Sequence, residues 1–265
     1  MTPAGAARCA FLGVDFDCLT RAAATERVVA LAGDAGFAYV VTPNVDHIVQ
    51  LHRTRDPELA ASYQAAALCL CDSRILARLA CWSGLALPVV AGSDLTRDLL
   101  VAALPSCKIA VVGGDTALHR ELAARFPRFA WSFHQPPMGV RRSDAARAAI
   151  ADYVETTAAD VTFLAIGAPQ SEIVCAEIAA RGQARGVALC IGASLEFMTG
   201  AKSRAPLWMQ RASLEWLYRL LSEPRRLWRR YLVDGPRIFL IWWRWRRINP
   251  PRPAAASGSS QSGDG

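Results

Sequence analysis

An α/β protein with a mostly parallel sheet and helices on both faces, extended by a helical appendage, is what the sequence predicts, on three observations. Short apolar runs rich in valine, alanine and isoleucine alternate with helical patterns between residues 1 and 200, the rhythm of strands joined by crossover helices. Three of these runs pass straight into glycine, at Gly113-Gly114, Gly167-Ala-Pro and Gly192-Ala-Ser, and ligands of open parallel sheets bind at such strand ends. After Gly200 the composition shifts to arginine and large apolar residues at helical spacing. The first 200 residues are therefore expected to be Rossmann-like. None of the glycine turns is a complete G-x-G-x-x-G, which disfavours a nicotinamide-dependent dehydrogenase.

In chain order, Leu19, Ala23 and Val28 mark a first helix with Asp17 placed as its N-cap. Ala38–Val41 reads as a strand leading into Thr42-Pro-Asn-Val-Asp-His47 at the start of a helical pattern. The apolar run from Ala65 to Cys71 reads as a strand that delivers Asp72 at its end, and Ile109–Val112, Val161–Ile166 and Val187–Ile191 complete the set. In the appendage Pro224 opens a second helix, because a first-turn position suits its missing N–H. The sequence divides into an α/β domain over residues 1–200, a helical appendage over 201–248 and a tail over 249–265. That tail, rich in proline, glycine and serine, offers nothing to bury and is expected to be disordered.

Half of the 265 residues are hydrophobic, enough for a sizeable core. The net charge of +7 is local: residues 202–252 carry 13 Lys and Arg against Glu215, Glu223 and Asp234, which leaves the remainder at −3. Six of the eight tryptophans (Trp208, Trp216, Trp228, Trp242, Trp243 and Trp245) lie in the same region. A basic segment of this kind suits nucleic acid, anionic lipid or a phosphorylated substrate, and the indole rings shift the balance toward a membrane surface. The eight cysteines are scattered without metal-site spacing, mostly in apolar strings such as Leu68-Cys-Leu-Cys71, as reduced cysteines in a reducing compartment would be. No leader-like apolar core opens the chain, and no uninterrupted apolar run approaches the ~20 residues that span a bilayer, so the expected place is the cytoplasm and the inner face of the membrane.

Two constellations can carry chemistry. Thr42 and Asn44 stand after a strand, where each either caps the next helix or faces a ligand. Asp72 at its own strand end either caps a helix or, if burial raises its pKa toward neutrality, takes a proton from a hydroxyl. Backbone amides at Gly113 and Gly114 can cradle a diphosphate, beside their simpler part in a tight turn.

These motifs resemble those of the WecG/TagA/CpsF glycosyltransferases (glycosyltransferase family 26) from about Gly13 to Arg247, most closely from Gly192 to Tyr231. Thr42 and Asn44 match a Thr-x-Asn motif that lines the family's active site. Cys71-Asp-Ser-Arg-Ile75 matches Ala-Asp-Gly-x-Gly, keeping the proposed base at Asp72 but replacing both glycines. Gly92-Ser-Asp-Leu95 also looks like a family motif. Gly167-Ala-Pro-Gln-Ser-Glu172 keeps Gly167, Pro169 and Glu172 of Gly-Ser-Pro-Lys-Gln-Glu, with Gln170-Ser171 in place of Lys-Gln, and Glu196 replaces the aspartate of Gly-Ala-x-x-Asp-Phe. Arg219, Arg226 and Arg229 match arginines thought to reach the site in TagA-like members.

The resemblance implies an inverting transferase that moves a sugar from a UDP-sugar donor to a polyprenyl-diphosphate-linked saccharide in cell-surface polysaccharide assembly. Its substrate-binding residues would be Gly113, Gly114, Gly167, Glu172, Glu196, Arg219, Arg226 and Arg229. No cofactor is implied and no metal is expected, although Asp15-Phe-Asp17 has the Asp-x-Asp pattern that holds a divalent ion in many nucleotide-sugar enzymes. Self-association would be one way to bury the apolar segments. The rivals are a nucleic-acid-binding protein, which the resemblance disfavours, and a catalytically degenerate scaffold of the same assembly machinery.

Overall fold

The computed structural model describes residues 7–250. The tail from 251 onward, most of the segment expected to be disordered, lies outside the described residues.

Strands β1 (Arg8–Phe11) and β2 (Val14–Asp17) form an antiparallel hairpin, after which α1 (Arg21–Ala32) begins. The cap of α1 is Thr20, whose hydroxyl accepts from the Ala23 N–H at 3.3 Å, and not Asp17. Asp17 is instead buried, accepting from the Arg8 guanidinium at 3.0 Å and the Cys69 N–H at 2.8 Å. The helix starts three residues later than the apolar pattern suggests, so the aspartate is free to tie the hairpin to the sheet.

That sheet comprises β3 (Phe37–Val41), β4 (Leu68–Cys69), β5 (Lys108–Gly113), β6 (Ala130–His134), β7 (Val161–Ala165) and β8 (Gly186–Cys190). All neighbours are parallel in the order β4-β3-β8-β7-β5-β6. The predicted strands lie within a residue of their places, except that of the run from Ala65 to Cys71 only Leu68–Cys69 is a strand. Their continuous apolar runs follow from burial on both faces: in β3, Tyr39 and Val41 face one core with Ile48, Leu76 and Val174, while Val40 faces a second with Val28, Leu95 and Leu122. Helices α2 (Val45–Thr54), α3 (Pro57–Gln64), α4 (Arg74–Cys81) and α8 (Gln170–Arg181) enclose the first core, and α1, α5 (Gly92–Asp98) and α6 (Thr116–Arg125) the second. Helices α7 (Asp144–Thr157) and α9 (Ser194–Met198) complete the α/β body. All eight cysteines are free thiols.

Gly186 is required where β8 begins. Its φ is +76°, and an added Cβ would run into the carbonyl oxygens of Ala159 and Asp160, 2.6 Å from the latter. Backbone on both sides gives the clash no route of relief. Gly186→Ala should therefore cost about 2–4 kcal/mol, read as a lower midpoint of urea unfolding with an unchanged slope.

The appendage consists of α10 (Leu207–Arg211), α11 (Glu215–Ser222), α12 (Pro224–Trp228), a π-helical turn over Arg229–Asp234 and α13 (Arg237–Ile248). Pro224 does open a helix. The compositional change near residue 200 is not a break in packing, because α13 lays one face on the body. Ile238 is buried, the Trp242 Nε1–H donates to the Leu79 carbonyl at 3.1 Å and the Ser83 hydroxyl at 2.9 Å, and Trp245 meets Phe11 edge-to-face at 5.1 Å. The other face carries exposed Phe239, Leu240 and Trp243, with the Arg247 guanidinium 3.8 Å from the Trp243 ring centre. Thus only some of the six tryptophans are free to meet a surface. Among the described residues no helix is long and apolar enough to cross a membrane.

Candidate active site

The carboxyl ends of β3, β4, β7 and β8 open onto a cavity of about 540 Å³, and the appendage forms its opposite wall. The volume falls within the range of small-molecule sites, and its place at the carboxyl edge is where such a sheet offers one.

Thr42, next after β3, is buried and donates its hydroxyl to the Cys190 carbonyl at 3.3 Å, which links the ends of β3 and β8. Asn44 does both things open to it from sequence. It caps α2, accepting from the Asp46 N–H at 3.0 Å, and it lines the cavity. The Asn44 N–H donates to His47 Nδ1 at 3.2 Å, and His47 Nε2 lies 3.5 Å from Glu172 Oε1. Glu172, in the first turn of α8, is almost wholly buried, and its Oε2 has no hydrogen-bond partner among the described residues. A buried carboxylate oxygen in that state asks for a donor from whatever fills the cavity.

Asp72 follows β4, held beside the β3 loop by its N–H donating to the Pro43 carbonyl at 3.0 Å. The helix cap here is Ser73, whose hydroxyl accepts from the Leu76 N–H at 3.2 Å, so the Asp72 carboxylate is left for the cavity. Burial pushes its pKa up to about 7, helped by the negative charge of Glu215; a hydrogen bond from the Gly92 N–H and the charges of His47 and Arg219 hold it from going higher. A carboxylate titrating near neutrality is matched to proton removal from a hydroxyl. Ser73 and Ile75 stand where the resembled motif has glycine, yet Ser73 is extended and Ile75 helical, conformations open to any residue.

The appendage wall is cationic, with Lys202, Arg204, Arg219, Arg226 and Arg230. Most of these charges are paired: Lys202 with Glu196 and, at 3.6 Å, Glu223; Arg204 with Asp94 at 2.6 Å; Arg226 with Glu223; Arg230 with Asp46 at 3.0 Å. Arg226 holds the Glu223 carboxyl below its ordinary range. Arg219 makes no ion pair among the described residues and lies 6.0 Å from the Phe197 ring centre. It is the wall's uncommitted charge.

Eight of the eleven residues singled out from sequence line this cavity: Thr42, Asn44, Asp72, Gly167, Glu172, Glu196, Arg219 and Arg226. Gly113, Gly114 and Arg229 do not. The two glycines serve the turn after β5, where a Cβ on Gly113 would sit 2.9 Å from the Ala165 carbonyl group and the Gly113 carbonyl faces His119 Nε2 at 2.8 Å. Arg229 is exposed and its neighbour Arg230 lines the cavity instead. The helical period contained that signal, since steps of seven and four residues from Arg219 reach Arg226 and then Arg230. Sequence reading also passed over His47, Lys202 and Arg204. Asp15 and Asp17 take no part in the cavity wall.

Compared with known families, residues 9–252 match the family described as "Glycosyl transferase WecG/TagA/CpsF family".

Proposed function

Since the chain belongs to the WecG/TagA/CpsF family and is thus a glycosyltransferase, we propose that it transfers a sugar, with inversion, from a UDP-sugar to a polyprenyl-diphosphate-linked saccharide at the inner membrane surface. The observation that carries this reading is Asp72, a carboxylate moved to neutrality and set across the cavity from a cationic wall. In the reaction, Asp72 takes the proton of the acceptor hydroxyl, the oxygen bonds to the anomeric carbon, and the carbon–oxygen bond to UDP breaks on the opposite face. Thr42 and Asn44 orient the sugar, and the orphan oxygen of Glu172 accepts from one of its hydroxyls. Negative charge developing on the departing diphosphate meets Arg219 first, with Arg226 and Arg230 reaching it once their carboxylate partners let go. Gly113 and Gly114 shape the turn and Arg229 belongs to the outer, surface-facing charge.

The outward face of α13, with Phe239, Leu240, Trp243 and nearby arginines, suits the headgroup level of an anionic bilayer, where a lipid-linked acceptor resides. Docking there would bring the cavity, with Arg219 already in its wall, to the lipid-linked acceptor, so transfer is expected to depend on the surface.

The test is UDP release by the full chain, offered a panel of UDP-sugars with a short polyprenyl-diphosphate saccharide, with and without vesicles containing anionic lipid. Acceptor-dependent release, several-fold faster on vesicles, is the expected result. Silence across a broad panel from folded protein would overturn the reading in favour of the scaffold. Release indifferent to vesicles would remove the membrane from it.

A further inference from the structure

A second, smaller cavity of about 130 Å³ meets the first at Asp72, which lines both together with Asn44, Asp46, Glu215, Arg219 and Arg230. The rest of its wall includes Ile75, Ser213, Trp216 and Tyr231. Two polar atoms of that wall, Ser213 Oγ and Arg230 Nε, are buried and have no hydrogen-bond partner among the described residues. Buried polar groups are almost always satisfied, so two orphans in one small cavity point to a ligand that supplies their partners. Ser213 is also held at φ +63°, a backbone conformation a non-glycine residue keeps only when its surroundings impose it. Trp216, half-buried beside Tyr231 at 6.2 Å between ring centres, turns an aromatic ring to the same space.

Aromatic ring, hydroxyl, guanidinium N–H and carboxylate together are what a pyranose needs. The ring's C–H face packs on an indole, and its rim of hydroxyls both donates and accepts hydrogen bonds. The cavity has room for about one such ring and none for a nucleotide, whereas the larger cavity has room for a nucleotide-sugar. A base that deprotonates the attacking hydroxyl must stand between the two reactants, and Asp72, which lines both cavities, stands there.

Resting on the glycosyl-transfer reading, we propose that the smaller cavity seats the terminal sugar ring of the acceptor. The ring stacks on Trp216, its hydroxyls bond to Ser213 Oγ and Arg230 Nε, and its reacting hydroxyl lies at Asp72, while the donor occupies the larger cavity. That hydroxyl gives its proton to Asp72, its oxygen forms the bond to the anomeric carbon, and the bonding pair of the broken link leaves with the nucleoside diphosphate.

The experiment compares wild type with Trp216→Ala, Trp216→Phe and Ser213→Ala, measuring KM for donor and for acceptor separately and UDP affinity by titration calorimetry. Trp216→Ala should raise the acceptor KM by about tenfold or more, Trp216→Phe should restore most of it, and Ser213→Ala should raise it by ~3-fold to 10-fold. Donor KM and UDP affinity should stay within about twofold of wild type in all three. An unchanged acceptor KM, or a shift in donor KM or UDP affinity in its place, would overturn the proposal. If Trp216→Ala fails to fold, Trp216→Phe and Ser213→Ala decide the matter by the same readouts. Should wild type turn over no UDP-sugar, the transfer reading is what fails. Saturation-transfer NMR with methyl hexopyranosides then still decides the subsite: contact seen with wild type and lost in Ser213→Ala supports it, and no contact with wild type rules it out.

Discussion

Asp72→Asn should all but abolish sugar transfer, lowering kcat by about 10²–10⁴, while making the folded protein more resistant to unfolding. Both effects come from the same burial. A carboxylate driven up to about 7 binds a proton more tightly folded than unfolded, so its contribution to stability is at its best below the unfolded value near 3.8 and is lost as pH rises toward 7. The isosteric amide has no charge to bury. The melting temperature of the variant should therefore match that of wild type near pH 4, rise above it between pH 4 and 7, and stay a few degrees higher beyond that. In wild type the acid limb of kcat/KM should lie near pH 7, with activity increasing as Asp72 loses its proton. Glu215→Gln removes a charge that pushes the Asp72 pKa up, and should move that limb to lower pH. An Asp72→Asn protein that keeps wild-type kcat would take the role of base away from this residue. One that is inactive but no more stable at pH 8 would mean that the ionised carboxylate is not held at a cost.

Arg219→Ala is expected to lower kcat by about 10²–10³, whereas Arg229→Ala should leave it within about twofold of wild type. Arg219 lines both cavities, has no ion pair among the described residues and bears on Asp72 through its charge, so nothing need be broken before it meets a phosphate. Arg226 is engaged by Glu223 and Arg230 by Asp46, so part of their attraction for a diphosphate is spent on release, and Arg226→Ala should fall between the two, near tenfold. Arg219→Lys should recover only part of the loss, because an ammonium cannot reproduce the two-pronged contact of a guanidinium with phosphate oxygens. The Arg219→Ala variant should also shift the acid limb to higher pH, since Arg219 is one of the charges that restrain the Asp72 pKa. Steady-state kinetics over a pH series on the four arginine variants would check all of this. Equal losses for Arg219→Ala and Arg229→Ala would mean that the basic segment acts through its total charge and not through one residue.

The α/β body was legible from residues alone because its signals are local. A central parallel strand must be apolar on both faces, so Ile109–Val112 and Val187–Ile191 stand out as continuous runs, and the glycines after β5, β7 and β8 mark where the chain turns at positive φ. Pro224 announced the start of α12 for the same reason, a constraint carried by one residue's own backbone. The places of Thr42, Asn44 and Asp72 followed from the strands that precede them.

What the sequence could not disclose depends on neighbours far along the chain. Whether Asp17 or Thr20 caps α1 turned on where the helix began, and that was decided by Asp17 finding Arg8 and the Cys69 N–H, the latter 52 residues away. Arg230 lies on the helical step that runs from Arg219 through Arg226, but its pairing with Asp46, far earlier in the chain, could not be read from that step. Trp242 and Trp245 read as surface-seeking in a one-dimensional pattern, yet they close against Ser83 and Phe11 once α13 docks. The chain by itself therefore determined its layers, its strand ends and which residue types gather there. The tertiary structure alone decided which charges are spent on one another, which is left free, and how far burial moves the pKa of Asp72, since electrostatic cost is set by the dielectric and the charges around a group and not by its place in the chain.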